Sequence, residues 1–222
     1  MISFFAIIFY FTMLNFLLNL LFPPKCPICK KYVESDGEVC DKCFAAVLNS
    51  RKIYIFSEYI EEFWAIANYK QGAREIIRDL KFKSQIKRVK NINYILNKGN
   101  DRIPFYPKDI IAVYVPISKA RMKERGFNQV ELMFKDWLKE KGIKAEKLLI
   151  REKSTEHQFS LNPEERKANV KDAFKATRAL NGEDILLLDD ILTTGATVTE
   201  CAKALKEAGA GRIFALVFAS DD

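Results

Sequence analysis

The sequence predicts an α/β fold, in which helices flank a parallel β-sheet and a small cysteine-rich module precedes it. Two apolar runs, residues 110–115 and 185–188, have the composition of strands buried on both faces of a parallel sheet. A helical hydrophobic pattern follows each run. Four of the five cysteines lie within residues 26–43. A chain of 222 residues can form one medium-sized domain with a small attachment.

The composition argues against a disordered chain and against a disulfide scaffold. Aliphatic, aromatic and cysteine residues make up 49% of the chain, which is enough to build a core. The cysteines have a metal-type spacing, so we expect a reducing, cytoplasmic environment. The formal net charge of +7 is compatible with anionic partners, but it identifies none, because excess lysine is commonly a solvated surface.

Residues 1–22 form an uncharged apolar segment that is long enough to span a bilayer as a helix. One interpretation is a membrane anchor, with the lysines that follow it on the cytoplasmic side. The interpretation that we favour is a start at Met13, which leaves a short segment that packs on the protein or contacts a membrane surface. A signal peptide is not indicated, because no basic region precedes the run. The predicted organisation is this segment, a cysteine-rich module over residues 23–50 and a larger domain over residues 51–222.

Two C-x2-C pairs predict a metal site. Four thiolates at this spacing suit a closed tetrahedral zinc ion with no position open for catalysis, so we expect the zinc to be structural. A pair of redox-active dithiols is the alternative. The fifth cysteine, Cys201, falls on an apolar helix face, where we expect core packing. The expected zinc ligands are Cys26, Cys29, Cys40 and Cys43.

After a polar break near residues 49–52, residues 64–69 predict a short strand and the next thirty or so residues predict two amphipathic helices. These helices carry the most basic region of the chain. It is either a pair of solvated helix faces or a surface for single-stranded DNA or another anion. Residues 98–108 predict a loop. The residues that we expect to contact nucleic acid are Lys81, Lys83, Lys87 and Arg88.

Pro116 ends the strand over residues 110–115, and we expect the cationic stretch after it to be a loop. Cations at the carboxyl end of a strand would face the ligand crevice of an α/β sheet and hold a pyrophosphate. A helix is predicted from Asn128 to Gly142, and strands at residues 148–150, 174–177 and 212–219. The only histidine, His157, lies in a polar segment, and we interpret it as a surface residue rather than a catalytic one. The pyrophosphate residues would be Ser118, Lys119 and Arg121.

Residues 185–199, ILLLDDILTTGATVT, carry the most informative pattern in the chain. Asp189 and Asp190 are expected where a buried strand gives way to a loop, and they would face sugar hydroxyls, a Mg2+ ion or both. The small and hydroxylated residues that follow open a helix, so backbone N–H groups and the helix dipole would hold a phosphate. A phosphate beside a diol describes a ribose 5-phosphate. A strand end followed by an ordinary helix cap is the alternative.

This stretch resembles the 5-phosphoribosyl 1-pyrophosphate (PRPP) loop of the type I phosphoribosyltransferases, hhhhDDhhTTGxT, at every position. Together with the cysteine pairs, further motifs resemble the ComF family of competence-associated, phosphoribosyltransferase-like proteins, in particular its ComFC-like members, from about residue 14 onward. The matching positions are Tyr69, Gly72, Arg74, LKF at 80–82, VP at 115–116, Arg121, RGFNQ at 125–129, which includes Arg125, Asn128 and Gln129, and then Arg151, Thr155, Gln158, Leu161, Arg166, Asn169 and Phe174.

The resemblance implies a type I phosphoribosyltransferase-like fold with an N-terminal zinc finger, and Mg2+-dependent binding of PRPP. Asp189 and Asp190 would take the ribose hydroxyls, and residues 151–161 would form a mobile loop over the site. The implied role is uptake of transforming DNA or handling of single-stranded DNA in the cytoplasm, with competence proteins as partners. As an enzyme, the chain would transfer the phosphoribosyl group of PRPP to an acceptor that the sequence does not identify, with loss of pyrophosphate, and Asp189 and Asp190 would be its catalytic residues. The alternative is a non-catalytic protein that senses PRPP or binds single-stranded DNA or a partner. The 5-phosphate would lie on Thr193, Thr194, Gly195, Ala196 and Thr197.

Overall fold

The computed structural model describes Met13 and residues 20–83, 85–99, 103, 107–152 and 163–221. Within these residues the strands form a six-stranded sheet and a separate two-stranded sheet. The strands are β1 (Leu48–Ile53), β2 (Glu62–Asn68), β3 (Ile111–Tyr114), β4 (Lys144–Ala145), β5 (Leu149–Arg151), β6 (Phe174–Ala176), β7 (Ile185–Leu192) and β8 (Ile213–Ser220). The helices are α1 (Asp41–Val47), α2 (Gln71–Phe82), α3 (Arg88–Gly99), α4 (Lys119–Arg125), α5 (Gln129–Lys141), α6 (Pro163–Val170) and α7 (Ala196–Glu207).

The main sheet has the order β1-β2-β8-β7-β3-β4 and is parallel from β2 to β4. The edge strand β1 is antiparallel to β2. The side chains of β7 alternate between two cores, with Leu186 and Leu188 on one face of the sheet and Ile185 and Leu187 on the other. Helices therefore cover both faces, and the predicted α/β class is confirmed. The carboxyl ends of β2, β8, β7 and β3 open at one edge.

The cysteine-rich module packs directly on the main sheet domain. Its buried Cys26 and Cys43 belong to the same core as Ile76 of α2. Gly72 allows this close approach, because a Cβ atom there would lie 2.3 Å from Cδ1 of Ile28, between the first two cysteines. The module thus fixes the start of α2, a helix that lines the candidate site.

Several predicted elements are confirmed. Strand β2 covers most of residues 64–69, and α2 and α3 are the two amphipathic helices. Helix α5 begins after Asn128, whose side chain accepts a hydrogen bond from the backbone N–H of Val130, and ends at Gly142, with φ of 67°. Cys201 is fully buried in the core, as expected. Strands β5, β6 and β8 lie close to their predicted positions.

Other predictions are wrong. The expected loop after Pro116 contains α4, because Ser118 caps its first turn by accepting a hydrogen bond from the N–H of Arg121, and Gly126 ends it. The polar break at residues 49–52 is part of β1, an edge strand that needs no apolar run. Helix α6 was not predicted, because the segment that contains it is polar and has no apolar helical pattern. Strand β7 continues through both aspartates, because its pairing with β8 extends to Leu192.

Some predictions concern residues that lie outside the described part of the chain. These are most of the apolar segment over residues 1–22, most of the predicted loop over residues 98–108, and the polar segment with His157. Lys98 and Gly99 of that loop belong to α3. Of the helices that are described, none combines the length and the apolar character needed to cross a bilayer.

Candidate functional site

A cavity of about 370 Å³ opens at the carboxyl ends of the central strands. Five basic and three acidic side chains line it, with Tyr69 and a few aliphatic residues between them. This composition suits a ligand that combines anionic groups with hydroxyls. The charged lining residues are Arg74, Lys81, Arg121, Arg125, Arg151, Asp189, Asp190 and Asp221.

The two aspartates predicted from the sequence both line this cavity, near the carboxyl end of β7. Asp190 is 5% exposed and Asp189 is half-buried. The backbone N–H of Asp190 donates a hydrogen bond of 2.8 Å to Oδ1 of Asp189. Burial raises the pKa of Asp189 to about 7, and the negative charge of Asp190 adds to the rise. Asp189 is therefore a group that a cation or a hydroxyl donor would readily engage.

Asp190 is held by two neighbours that come from different helices. Lys81 of α2 places Nζ 2.8 Å from Oδ2, and Gln129 of α5 donates a hydrogen bond of 2.7 Å to the same oxygen. Gln129 in turn accepts a hydrogen bond of 2.9 Å from Nη1 of Arg125. Arg125 and Gln129 are both buried, so this is a polar network inside the protein.

The predicted phosphate loop connects β7 to α7 and lies at the same cavity. Thr193 and Thr197 line it. Thr194 accepts a hydrogen bond of 3.4 Å from the backbone N–H of Ala196, in the first turn of α7. Gly195 has φ of 73°, and it lies against Ile55. The N-terminus of a helix thus faces the cavity, an arrangement that favours an anion.

Of the three residues predicted for pyrophosphate, Arg121 alone lines the cavity. Ser118 is buried as the helix cap, and Lys119 is exposed. Arg74 at the start of α2 and Arg151 at the end of β5 supply further positive charge to the cavity. Burial lowers the pKa of Arg151, and Arg121 adds to that effect. Mutual repulsion of this kind is relieved by an anion.

The four residues predicted to bind nucleic acid do not form one continuous exposed surface. Lys81 lies in the cavity, as described above. Lys83 and Arg88 both form ion pairs of 2.9 Å with Asp79, which is buried on α2. Lys87 is exposed between the two helices. A contact with DNA at this region therefore stays a prediction, and ion pairing already engages part of the basic charge.

The remaining motif residues have mixed positions. Asn128 donates a hydrogen bond of 3.0 Å to the backbone oxygen of Val115, which ties the cap of α5 to the strand end. Asn169 is half-buried in α6 and is not among the residues that line the cavity. Arg166 also lies in α6, but its side chain is outside the described part, as is the whole of Gln158.

Two residues of the cavity, Tyr69 and Asp221, were not predicted to belong to the site. Each directly follows a strand of the main sheet, β2 and β8 respectively, and each lines the cavity. The rule that ligands bind beyond the carboxyl ends of parallel strands is the signal that could have found them. The ion pair of Lys81 with Asp190, in contrast, depends on tertiary packing, and no local sequence signal predicts it.

The four cysteines of the N-terminal module meet as predicted. Their sulfur atoms all lie within 4.8 Å of one another, and Sγ of Cys29 and Cys40 are 3.5 Å apart. A tetrahedral zinc ion with Zn–S bonds of about 2.3 Å requires sulfur atoms separated by roughly 3.8 Å. The cluster therefore fits a structural zinc ion with four protein ligands.

Comparison with known proteins gives several matches. The double zinc ribbon domain family matches residues 17–52, the stretch that contains the four cysteines. Competence protein ComFC of Streptococcus pneumoniae is 30% identical over 83% of this chain and 82% of its own. Competence protein F of Haemophilus influenzae is 25% identical over 86% of this chain and 82% of its own. DNA utilization protein YhgH of Escherichia coli K12 is 25% identical over 85% of this chain and 86% of its own.

Among solved structures, adenine phosphoribosyltransferase from Leishmania tarentolae aligns with 85% of this chain and 90% of its own. The TM-score is 0.34 and the sequence identity is 14%. This similarity is too weak to inform either fold or function.

Proposed function

The chain belongs to the ComF family of competence proteins, and from that premise we propose that it binds PRPP with Mg2+ and acts in DNA uptake. One observation carries the proposal. The cavity at the carboxyl ends of the sheet combines two aspartates, a helix N-terminus and five basic side chains within one space. PRPP requires this combination, because it has a diol flanked by a phosphate and a pyrophosphate.

The proposed orientation of PRPP follows from the charges. The 5-phosphate binds the loop over residues 193–197, where N–H groups and threonine hydroxyls are the available donors. The ribose faces the two aspartates at the end of β7. The pyrophosphate extends toward Arg121, Arg151 and Arg74. Arg121 is thus kept from the predicted set, and Arg151 and Arg74 take the place of Ser118 and Lys119.

The carboxylate oxygens of the cavity fit Mg2+, which prefers hard oxygen ligands and is often held by one or two carboxylates together with substrate phosphates. Asp189 is better placed than Asp190 to hold it, because Asp189 is less buried and lines the cavity. When bound, Mg2+ would supply positive charge to the departing pyrophosphate.

As a transferase, the chain would promote cleavage of the bond between C1 of the ribose and the pyrophosphate, while an acceptor forms a new bond to C1. Negative charge develops on the departing oxygen, and fixed guanidinium groups lower the barrier when they point at that oxygen. Arg121 and Arg151 have this function in our proposal. A closed cavity would keep water from C1 and so suppress hydrolysis.

Release of pyrophosphate tests the enzymatic part of the proposal. We would measure it with Mg2+ and PRPP, with and without candidate acceptors such as nucleobases and single-stranded DNA. We expect release by the wild-type chain, and loss of release in the Asp189→Asn/Asp190→Asn double variant. Binding of PRPP with no release above that double variant would instead favour the non-catalytic PRPP sensor.

We also propose single-stranded DNA as a partner, because two relatives are named competence proteins and a third is named a DNA utilization protein. Affinity for a labelled single strand should fall steeply with salt, since cations that contact phosphates release counterions. Lys87→Gln should weaken it, because Lys87 is exposed. Affinity that does not change with salt would contradict this part.

A further inference from the structure

Lys81 and Asp190 form an ion pair inside the cavity. Nζ of Lys81 lies 2.8 Å from Oδ2 of Asp190, and the two side chains are only 12% and 7% exposed. The side-chain amide of Gln129 donates a second hydrogen bond to the same oxygen. One oxygen of Asp190 thus already has two donors, which leaves this carboxylate less capacity to accept hydrogen bonds from a ligand.

Gln129 connects this ion pair to a second buried cation. Its carbonyl oxygen accepts a hydrogen bond from Arg125, whose guanidinium group lies 5.1 Å from the ring centre of Phe82, the residue after Lys81. Four elements, α2, α4, α5 and β7, therefore meet in one network. In the described part of the chain, Nε of Arg125 has no hydrogen-bond acceptor, although this residue is 9% exposed and lines the cavity. The network thus contains one buried donor that the described residues leave unpaired.

Asp189 has different surroundings. It is half-buried, and its Oδ1 accepts a hydrogen bond from the backbone of the next residue. Among the described lysines and arginines, Lys81 forms an ion pair with Asp190, and none forms an ion pair with Asp189. Adjacent residues on a strand point to opposite sides, so the two carboxylates cannot make the same contacts.

We propose that the two aspartates have different functions in the PRPP site. Asp189 contacts the ribose, whereas Asp190 is a positioning residue, the buried counter-ion that holds Lys81 and Gln129 in the cavity wall. The ion pair persists when the ligand binds. This inference rests on the proposed function and refines it, because both carboxylates would otherwise be equivalent ligands of the sugar.

The physical reason is the cost of an unpaired buried charge. Removal of one partner of a buried ion pair is strongly destabilising, because the other charge stays desolvated without compensation. Ribose hydroxyls are neutral and cannot replace the ammonium group of Lys81. Removal of both charges together leaves no unpaired ion, and such replacements are often tolerated. A variant that lacks one charge of this pair should therefore be impaired, whereas a variant that lacks both charges should be less impaired.

The experiment measures the affinity for Mg2+-PRPP by calorimetry in Lys81→Met, Asp190→Asn and the double variant. We expect each single variant to bind about 10- to 100-fold more weakly than wild type. The double variant should bind at least about fivefold more tightly than Asp190→Asn alone, a gain well beyond additive behaviour. If Asp190 contacts the ribose or the metal directly, the double variant binds no more tightly than Asp190→Asn, and a gain below fivefold overturns the proposal.

Three further measurements separate positioning from folding. Lys52→Met, which breaks an ion pair of the same 2.8 Å length outside the cavity, should keep wild-type affinity. Lys81→Arg keeps the positive charge and should bind more tightly than Lys81→Met; weaker binding would count against the proposal. Thermal unfolding verifies that each variant is folded, and Lys81→Gln/Asp190→Asn replaces the double variant if that one does not fold. Absence of binding by the wild-type chain would overturn the proposed function itself, and the function of Lys81 with it.

Discussion

Replacement of Gly195 by alanine tests whether the loop over residues 193–197 binds a phosphate. Gly195 has φ of 73°, in the left-handed region, where an alanine costs about 1–2 kcal/mol. A Cβ atom there would also lie 3.3 Å from Cδ1 of Ile55 and 3.7 Å from Cδ1 of Leu192. The first of these contacts is tight, so Ile55 would have to move slightly. We therefore expect the free loop of Gly195→Ala to relax to another conformation.

The expected loss of affinity follows from that relaxation. A ligand that needs the present loop must restore the left-handed conformation, so binding loses about 1–2 kcal/mol, which corresponds to roughly 5- to 30-fold in Kd. Calorimetry with ribose 5-phosphate and with Mg2+-PRPP measures it. Both ligands should lose affinity equally, because they share the 5-phosphate.

Gly182 provides the matched control for this variant. Its φ is 84°, and a Cβ atom there would meet nothing within 4 Å. Gly182→Ala has a similar backbone cost, but it lies outside the cavity lining. Its melting temperature should fall while its affinity stays at the wild-type value. Wild-type affinity of Gly195→Ala for both ligands would refute the assignment of the phosphate to this loop.

Three other predictions concern zinc, pH and a helix cap. Cys26→Ser, or removal of zinc by a chelator, should lower the melting temperature by many degrees, because Cys26 lies in the core that packs on α2; an unchanged melting temperature would contradict a structural zinc. The raised pKa of Asp189, about 7, means that the folded state holds this proton more tightly than the unfolded state, so stability falls as pH rises from about 4 to 7. The melting temperature of Asp189→Asn, relative to that of wild type, should therefore increase as pH rises over that range. A difference between the two melting temperatures that does not change with pH would count against the raised pKa. Asn128→Ala should lose about 1–2 kcal/mol of unfolding free energy in denaturant titrations, since Asn128 caps α5 and binds Val115; a loss below about 0.5 kcal/mol would show that the cap contributes little.

The sequence predicted the parts of the fold that depend on local pattern. The burial of β7 on both faces of the sheet follows from four aliphatic residues in a row. Asn128 and Gly142 mark the ends of α5 in the sequence itself. The four-cysteine cluster follows from ligand spacing. In each case the signal lies within a few residues of the structure that it predicts.

The parts that were missed depend on tertiary contacts or on short, weakly patterned elements. Strand β1 is polar because an edge strand is only partly buried, and α4 has seven residues, most of them charged, without an apolar face. The ion pair of Lys81 with Asp190 joins α2 to β7 across the sheet domain. Because Lys81 lies in the cavity, we assign it to the proposed PRPP site rather than to a contact with DNA.

A crystal structure of the chain with PRPP and Mg2+ would test the central claim most directly. We expect the 5-phosphate on the backbone of residues 193–197, the ribose beside Asp189, and the pyrophosphate between Arg121 and Arg151. We also expect the ion pair of Lys81 and Asp190 to persist. PRPP bound elsewhere on the chain, or a cavity that stays empty at saturating ligand, would contradict the proposed site.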